Sequence, residues 1–303
     1  MAEKRNVWNR RMNVISDFSF CAYSDLVHKY VLDRSTVMTT TKKLFWIAAA
    51  VIALLNCAVY ITRAVRTPYK AAASTAQTSP LKPPAKGPIN VAVLISDGAD
   101  VMDIAGAWEV FGDAMLTSKG KPWHDSDGDD MVMPFNTYTV SDSLKPVNAA
   151  NGLTIVPNYS FENAPKPQII VIPAQGGRSD AQNTWLQANS ANADVTMSIC
   201  TGASMLAKYG FLDGQTATTH HTYAANMQKQ YPAVHFVSGT RFVDNGKIAT
   251  AGGLTSGIDL SLHIVERYYG REVAQSTADF LEYGGQLWKN PEYGQVKPVV
   301  AAK

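Results

Sequence analysis

The chain has 303 residues, 46% of them hydrophobic and 17% charged, with a formal net charge of +2. Such a length and apolar content suit a folded core rather than disorder, and so small a net charge supplies no electrostatic drive toward nucleic acid. Its three cysteines, Cys21, Cys57 and Cys200, lie too far apart for a zinc-ligand pattern or a disulfide framework. No metal and no cofactor are therefore expected.

Residues 1–43 form an N-terminal tail of mixed composition. Residues 44–61 carry no charge; Lys42 and Lys43 precede them, and Arg63, Arg66 and Lys70 follow. This run lies near the lower limit for a bilayer-spanning helix, which needs about 20 residues, and only Asn56 interrupts it. It is predicted to be a single transmembrane helix that anchors the protein in a membrane. A signal peptide beginning at Met38 is the rival reading. Against it, the apolar run exceeds the usual h-region, and two arginines separate it from Ala71-Ala72-Ala73. Basic residues flank the span almost evenly, and the soluble domain is placed on the extracytoplasmic side. Residues 62–88, rich in Ala, Ser, Thr and Pro, read as an extended tether.

From Ile89 onward strands and helices alternate. Ile89–Ile95 is a buried-strand run, and Ile104–Leu116 has helical period with Ile104, Trp108, Phe111 and Met115 on one side. Gln168–Ile172 is a second strand, and Ala181–Ser190 a helix that includes Trp185, a packing residue. Val195–Ile199 is another strand, followed by a helix at Met205–Tyr209. Lys247–Thr250 leads through Gly252-Gly253 into a helix at Gly257–Tyr269. Such alternation predicts an α/β fold: a flavodoxin-like three-layer sandwich with a mostly parallel sheet, spanning residues 89–290 and followed by a C-terminal tail, 291–303. Ligands of this architecture bind where strands end and helices begin.

Cys200 lies at one such junction, between Val195–Ile199 and Met205–Tyr209. Free backbone amides and the helix dipole there favour a thiolate, and the same turn exposes the reactive atom of a nucleophile elbow. Ser198-Ile-Cys-Thr-Gly202, Thr218-Thr219-His220, Thr250-Ala-Gly-Gly-Leu-Thr-Ser-Gly-Ile-Asp259 and Met102–Phe111 follow one another in an order and spacing that resemble the DJ-1/PfpI superfamily. Within it the chain looks most like the isocyanide hydratase branch and the sensor domains of AraC-type regulators.

The resemblance implies Cys200 as the nucleophile, Asp103 as an acid beside the thiol, Thr201 as the residue after the cysteine, and His220 as a histidine near it. It also implies an oxyanion site built from the Thr201 amide and a turn after a strand. That turn reads Ile172-Pro-Ala-Gln-Gly-Gly177, so Gln175 or Gly176 would supply the second donor. Ala174-Gln175 in place of a glycine pair is one departure from the family, and Gly106-Ala107 in place of Gly-Pro is another. The family commonly forms homodimers.

Other residues carry blander readings beside the functional one. Asp103 either caps the helix beginning near Ile104 or serves the thiol. His220 and His221, if extended, face opposite sides, so at most one approaches Cys200. Asp259 reads as a charge stabilising its helix N-terminus, Gly252-Gly253 as a close-approach turn, and Asp125–Asp130 as a solvated loop, its glycine misplaced for an EF-hand and Asn136 standing where a bidentate glutamate is needed.

Two function classes follow. One is a membrane-anchored, cysteine-dependent hydratase resembling isocyanide hydratase, acting on a small electrophilic substrate. The other is a non-catalytic sensor of a small ligand or of redox state, with the same cysteine at its centre.

Overall fold

The computed structural model describes residues 79–124, 130–289 and the two-residue strand Lys297–Pro298, all within the unit Ala73–Lys303. A seven-stranded sheet forms its middle layer. Its strands in chain order are β1 (Ile89–Leu94), β2 (Phe135–Ser141), β3 (Tyr159–Ser160), β4 (Ile169–Ile172), β5 (Val195–Ser198), β6 (Phe242–Asp244) and β7 (Ile248–Ala251). Their order across the sheet is β6-β7-β5-β4-β1-β2-β3. Every pairing is parallel except the β6–β7 hairpin.

Alternation along the strands divides the core in two. Ile89, Val91, Val93 and Ile95 of β1 and its exit face one cluster, with Ile169 and Val171 of β4. Ala92 and Leu94 face the other, with Ile170 and Ile172. Both faces of a parallel sheet must be covered, which is why these strands are apolar at successive positions.

Helices α1 (Val101–Gly112), α5 (Ser256–Tyr269) and α6 (Arg271–Phe280) cover the first face through residues such as Phe111, Leu260 and Ala274. Helices α2 (Asp180–Ser190), α3 (Ala203–Lys208) and α4 (His221–Gln230) cover the second through Leu186, Leu206 and Met227. Trp185 packs there against Phe161, ring on ring at 5.4 Å. The result is the flavodoxin-like α/β sandwich expected from the alternation. From β1 the chain runs to one side of the sheet and returns to β4 on the other. The C-terminal ends of β1 and β4 thus flank the switch point at which such sheets bind ligands.

One part of the expected architecture is corrected. No helix among the described residues is long and apolar enough to cross a membrane, and residues 44–61, where the transmembrane helix was expected, lie outside the described residues. An uncharged run that barely reaches bilayer length is weak ground for a span. The membrane anchor and the extracytoplasmic placement built on it are therefore not retained. The loop Asp125–Asp130 falls almost entirely outside the described residues as well.

Within the stretch read as a tether, residues 79–88 form no helix, and strand structure begins only at Ile89. Two of these residues are fastened to α5. The Leu81 amide donates to the Arg267 carbonyl at 2.8 Å, and the Arg267 guanidinium donates to the Ser79 carbonyl.

Candidate functional site

Three chain segments meet at the carboxyl ends of β1, β4 and β5. Strand β5 ends at Ser198, and the chain then turns sharply at Cys200, which sits at φ +56°. A cysteine in the left-handed region is strained unless its surroundings impose it. Here they do. The Cys200 amide donates to the Gly252 carbonyl at 2.7 Å, and the Thr219 hydroxyl donates to the Cys200 carbonyl at 2.9 Å. Two residues on, Gly202 passes so close under β4 that a Cβ would stand 2.2 Å from the Ile172 carbonyl oxygen. The strand-turn-helix read from the sequence is therefore an elbow, locked from both sides.

Asp103 comes from the first turn of α1 and is fully buried. It does not cap that helix. Asp100 does, with its carboxylate accepting from the Met102 and Asp103 amides at 3.0 and 3.4 Å. Asp103 instead turns inward, where Oδ2 accepts the Ala174 amide at 2.9 Å and Oδ1 has no hydrogen-bond partner among the described residues. Burial, reinforced by the Asp100 charge, pushes the Asp103 carboxyl up to about 7, against the pull of the Ala174 and Leu254 amides.

The thiol differs from expectation. Burial and then the Asp103 charge push Cys200 up to about 11, although the amides of Thr201 and Leu254 draw it down. The reason lies in the dimensions of the site. Cys200 is only 6% exposed, the helix it precedes has just six residues, and Asp103 opposes the thiolate with negative charge as it ionises. A short helix dipole does not outweigh desolvation beside a negative charge. The resting group is a thiol with a proton acceptor beside it, not a standing thiolate.

The other expected residues divide. The Thr201 amide acts on the Cys200 thiol and draws it down. The Gln175 amide has no acceptor among the described residues, while its side chain folds back, accepting from Ser96 Oγ at 2.7 Å and donating to the Leu94 carbonyl at 3.0 Å. Gly176 is a correction, because its amide is committed to the Asp97 carbonyl at 3.0 Å and is not free to stabilise an anion.

His220 serves a helix end. Its Nδ1 accepts the Thr222 amide at 3.2 Å as the N-cap of α4, and it makes no hydrogen bond to Cys200 or Asp103. Its ring lies so close to Gly253 that a Cβ there would fall 2.2 Å from Cδ2. His220 and His221 do not point apart, since the turn into α4 stacks their rings at 4.6 Å. Asp259 forms an ion pair with Arg241 at 2.6 Å rather than only serving its helix terminus. Among the described residues no cluster of side chains is suited to hold a metal.

Sequence reasoning missed Leu254. It sits at φ +48° and its amide acts on both Cys200 and Asp103. The preceding Gly252-Gly253 was the available signal, because paired glycines before a helix announce a tight backbone approach.

Residues 89–267 match the DJ-1/PfpI family. Over 152 residues the chain is 32% identical to isonitrile hydratase of Pseudomonas putida, an alignment covering 48% of this chain and 65% of that protein. Over 153 residues it is 29% identical to the HTH-type transcriptional regulator GbdR of Pseudomonas aeruginosa, covering 49% of this chain and 41% of the regulator. The chain thus spans less than two thirds of either relative's length. Among solved structures, a THiJ/PfpI family protein from Pseudomonas syringae superposes with a TM-score of 0.55 at 24% identity, over 66% of this chain and 77% of that one. Drosophila melanogaster DJ-1beta superposes with a TM-score of 0.54 at 19% identity, over 66% of this chain and all of that one. At such identities these two likenesses establish the fold alone. The regulator similarity also weakens the exclusion of nucleic acid drawn from net charge.

Proposed function

Because the chain belongs to the DJ-1/PfpI family, we propose that its domain is a small-ligand sensor whose binding site is centred on Cys200 and Asp103. The observation that carries this reading is Asp103 Oδ1, a buried carboxyl oxygen with no hydrogen-bond partner among the described residues. An unmet buried polar atom costs about 1–3 kcal/mol, which a ligand hydrogen-bonded there would offset. A carboxyl near 7 accepts or donates that bond according to pH, and the Cys200 thiol and the Gln175 amide stand by as donors. A thiol held near 11 suits reversible recognition better than rapid attack, since little of it ionises at neutral pH. The similarity to a transcriptional regulator supports the same reading.

A second reading, hydration of an isonitrile, is favoured by one observation: a carboxyl near 7 suits general acid and base work at neutral pH. Asp103 would take the thiol proton as Cys200 Sγ bonds to the terminal carbon, then return it to that carbon. Water would add to the resulting thioimidate, and cleavage of the C–S bond would release an N-substituted formamide and restore the thiol. The amides of Thr201 and Gln175 would steady the developing negative charge.

One experiment separates the two. The full-length protein is titrated with a small alkyl isonitrile and with a fragment library, following amide shifts of Thr201, Gln175 and Leu254 by NMR together with formamide release. Sensing predicts saturable shifts without sustained product, lost in Asp103→Ala. Sustained formamide production that disappears in Cys200→Ala would establish the enzyme instead. No ligand moving those amides and no product would overturn both.

A further inference from the structure

Arg241 precedes β6 and reaches the cysteine site through the turn that follows β7. Its carbonyl accepts the Gly252 amide at 2.8 Å, while its guanidinium donates to Thr255 Oγ1 at 3.0 Å and to Asp259 Oδ2 at 2.6 Å. One residue therefore grips both ends of the four-residue segment 252–255. Between those ends lie Gly253, covered by the His220 ring, and Leu254 in its left-handed conformation. A leucine persists there only when its surroundings over-determine it. The same segment holds the elbow, because the Gly252 carbonyl accepts the Cys200 amide.

Two further details make this grip more than routine packing. Thr255 heads α5, yet its hydroxyl caps no helix amide, so helix capping does not account for its bond to Arg241. The Arg241 cation is balanced by the buried Asp259, which also accepts the Tyr283 hydroxyl at 3.1 Å. The charges acting on the Cys200 thiol come from Asp103 and Asp100, and Arg241 is not among them.

The geometry points to Arg241 as a positioning residue: by pinning Gly252 and Thr255 it holds the Leu254 amide toward Cys200 and Asp103. This rests on the reading of that pair as the functional site. Arg241 touches no reacting atom and acts through the turn, not through its charge.

The test is the pH dependence of Cys200 alkylation by iodoacetamide in the full-length protein, read at the Cys200 peptide by mass spectrometry to separate it from Cys21 and Cys57. Thr255→Val removes the side-chain grip at an exposed position, and Arg241→Lys keeps a cation for Asp259 while losing the fork. Both should raise the alkylation midpoint by about one unit, seen as roughly tenfold slower labelling at a fixed pH below it. Thr255→Ser should restore the wild-type profile. Profiles of Thr255→Val and Arg241→Lys that coincide with wild type would overturn the inference. The site reading fails separately, if Asp103→Asn leaves the wild-type profile unmoved.

Discussion

Asp103 and Cys200 are coupled, and single substitutions should expose the sign of that coupling. The Asp103 charge raises the thiol, so Asp103→Asn should lower the alkylation midpoint of Cys200, the opposite direction to Thr255→Val. Asp103 also links folding to pH. Its carboxyl lies near 7 when folded against an ordinary 3.8, so the protonated form favours the folded state. The associated stability is fully present below about pH 4 and is lost as pH rises through 7, a change of about 4 kcal/mol. Urea denaturation across that interval should show the slope, and Asp103→Asn should flatten it. Cys200 was legible because small polar residues between a strand and a helix are a pattern of side-chain type, whereas Asp103 was reached through the family resemblance, since an acid opening a helix read equally as a cap and the cap is Asp100. Leu254 was not, because nothing in a leucine side chain announces a backbone at φ +48°. The thiol's acidity was misjudged for a related reason: local sequence shows the turn and the helix but not how deeply the sulfur is buried.

Helix α1 shows how one turn places a functional group. Asp100 caps it, and the Asp100 amide donates to the Ala174 carbonyl while the Ala174 amide donates to Asp103. This pair of bonds ties the start of α1 to the end of β4. Asp100→Ala should destabilise the protein by about 1 kcal/mol in chemical denaturation. Asp100→Asn should preserve the cap yet lower the Cys200 midpoint by removing an anion. Elements with strong period, such as β1, β4 and α5, were readable within a few residues. Strand β2 was not, because Asn136, Thr137 and Thr139 break its apolar run, and what marks it as a strand is its parallel partner β1. Helix α4 was hidden by its polar composition, since Ala224 and Met227 alone turn inward. The helix expected from Ile104 to Leu116 begins earlier, at Val101, because the cap is Asp100, and it ends earlier, at Gly112, where Asp113 leaves helical geometry.

At the scale of the whole domain, the buried carboxylate of Asp244 at the edge of the sheet joins two helix residues. It meets His263 Nε2 at 3.0 Å and Arg267 Nη1 at 3.2 Å, and Arg267 in turn holds the carbonyls of Gly246 and Ser79. Asp244→Ala strands a buried cation and should lower stability by roughly 3–5 kcal/mol, measured by urea unfolding. The same change should also free residues 79–81, read as faster amide exchange at Leu81. None of this was visible in sequence, because Asp244 and Arg267 are far apart along the chain and neither belongs to a motif. The fit of Gly202 beneath the Ile172 carbonyl has its own consequence for kinetics. A bend wedged into shape by the fold does not wait for a visitor to form it. Since the Asp103 carboxyl beside it is fully buried, capture of a small molecule should instead be limited by uncovering that group, its observed rate levelling off at high concentration.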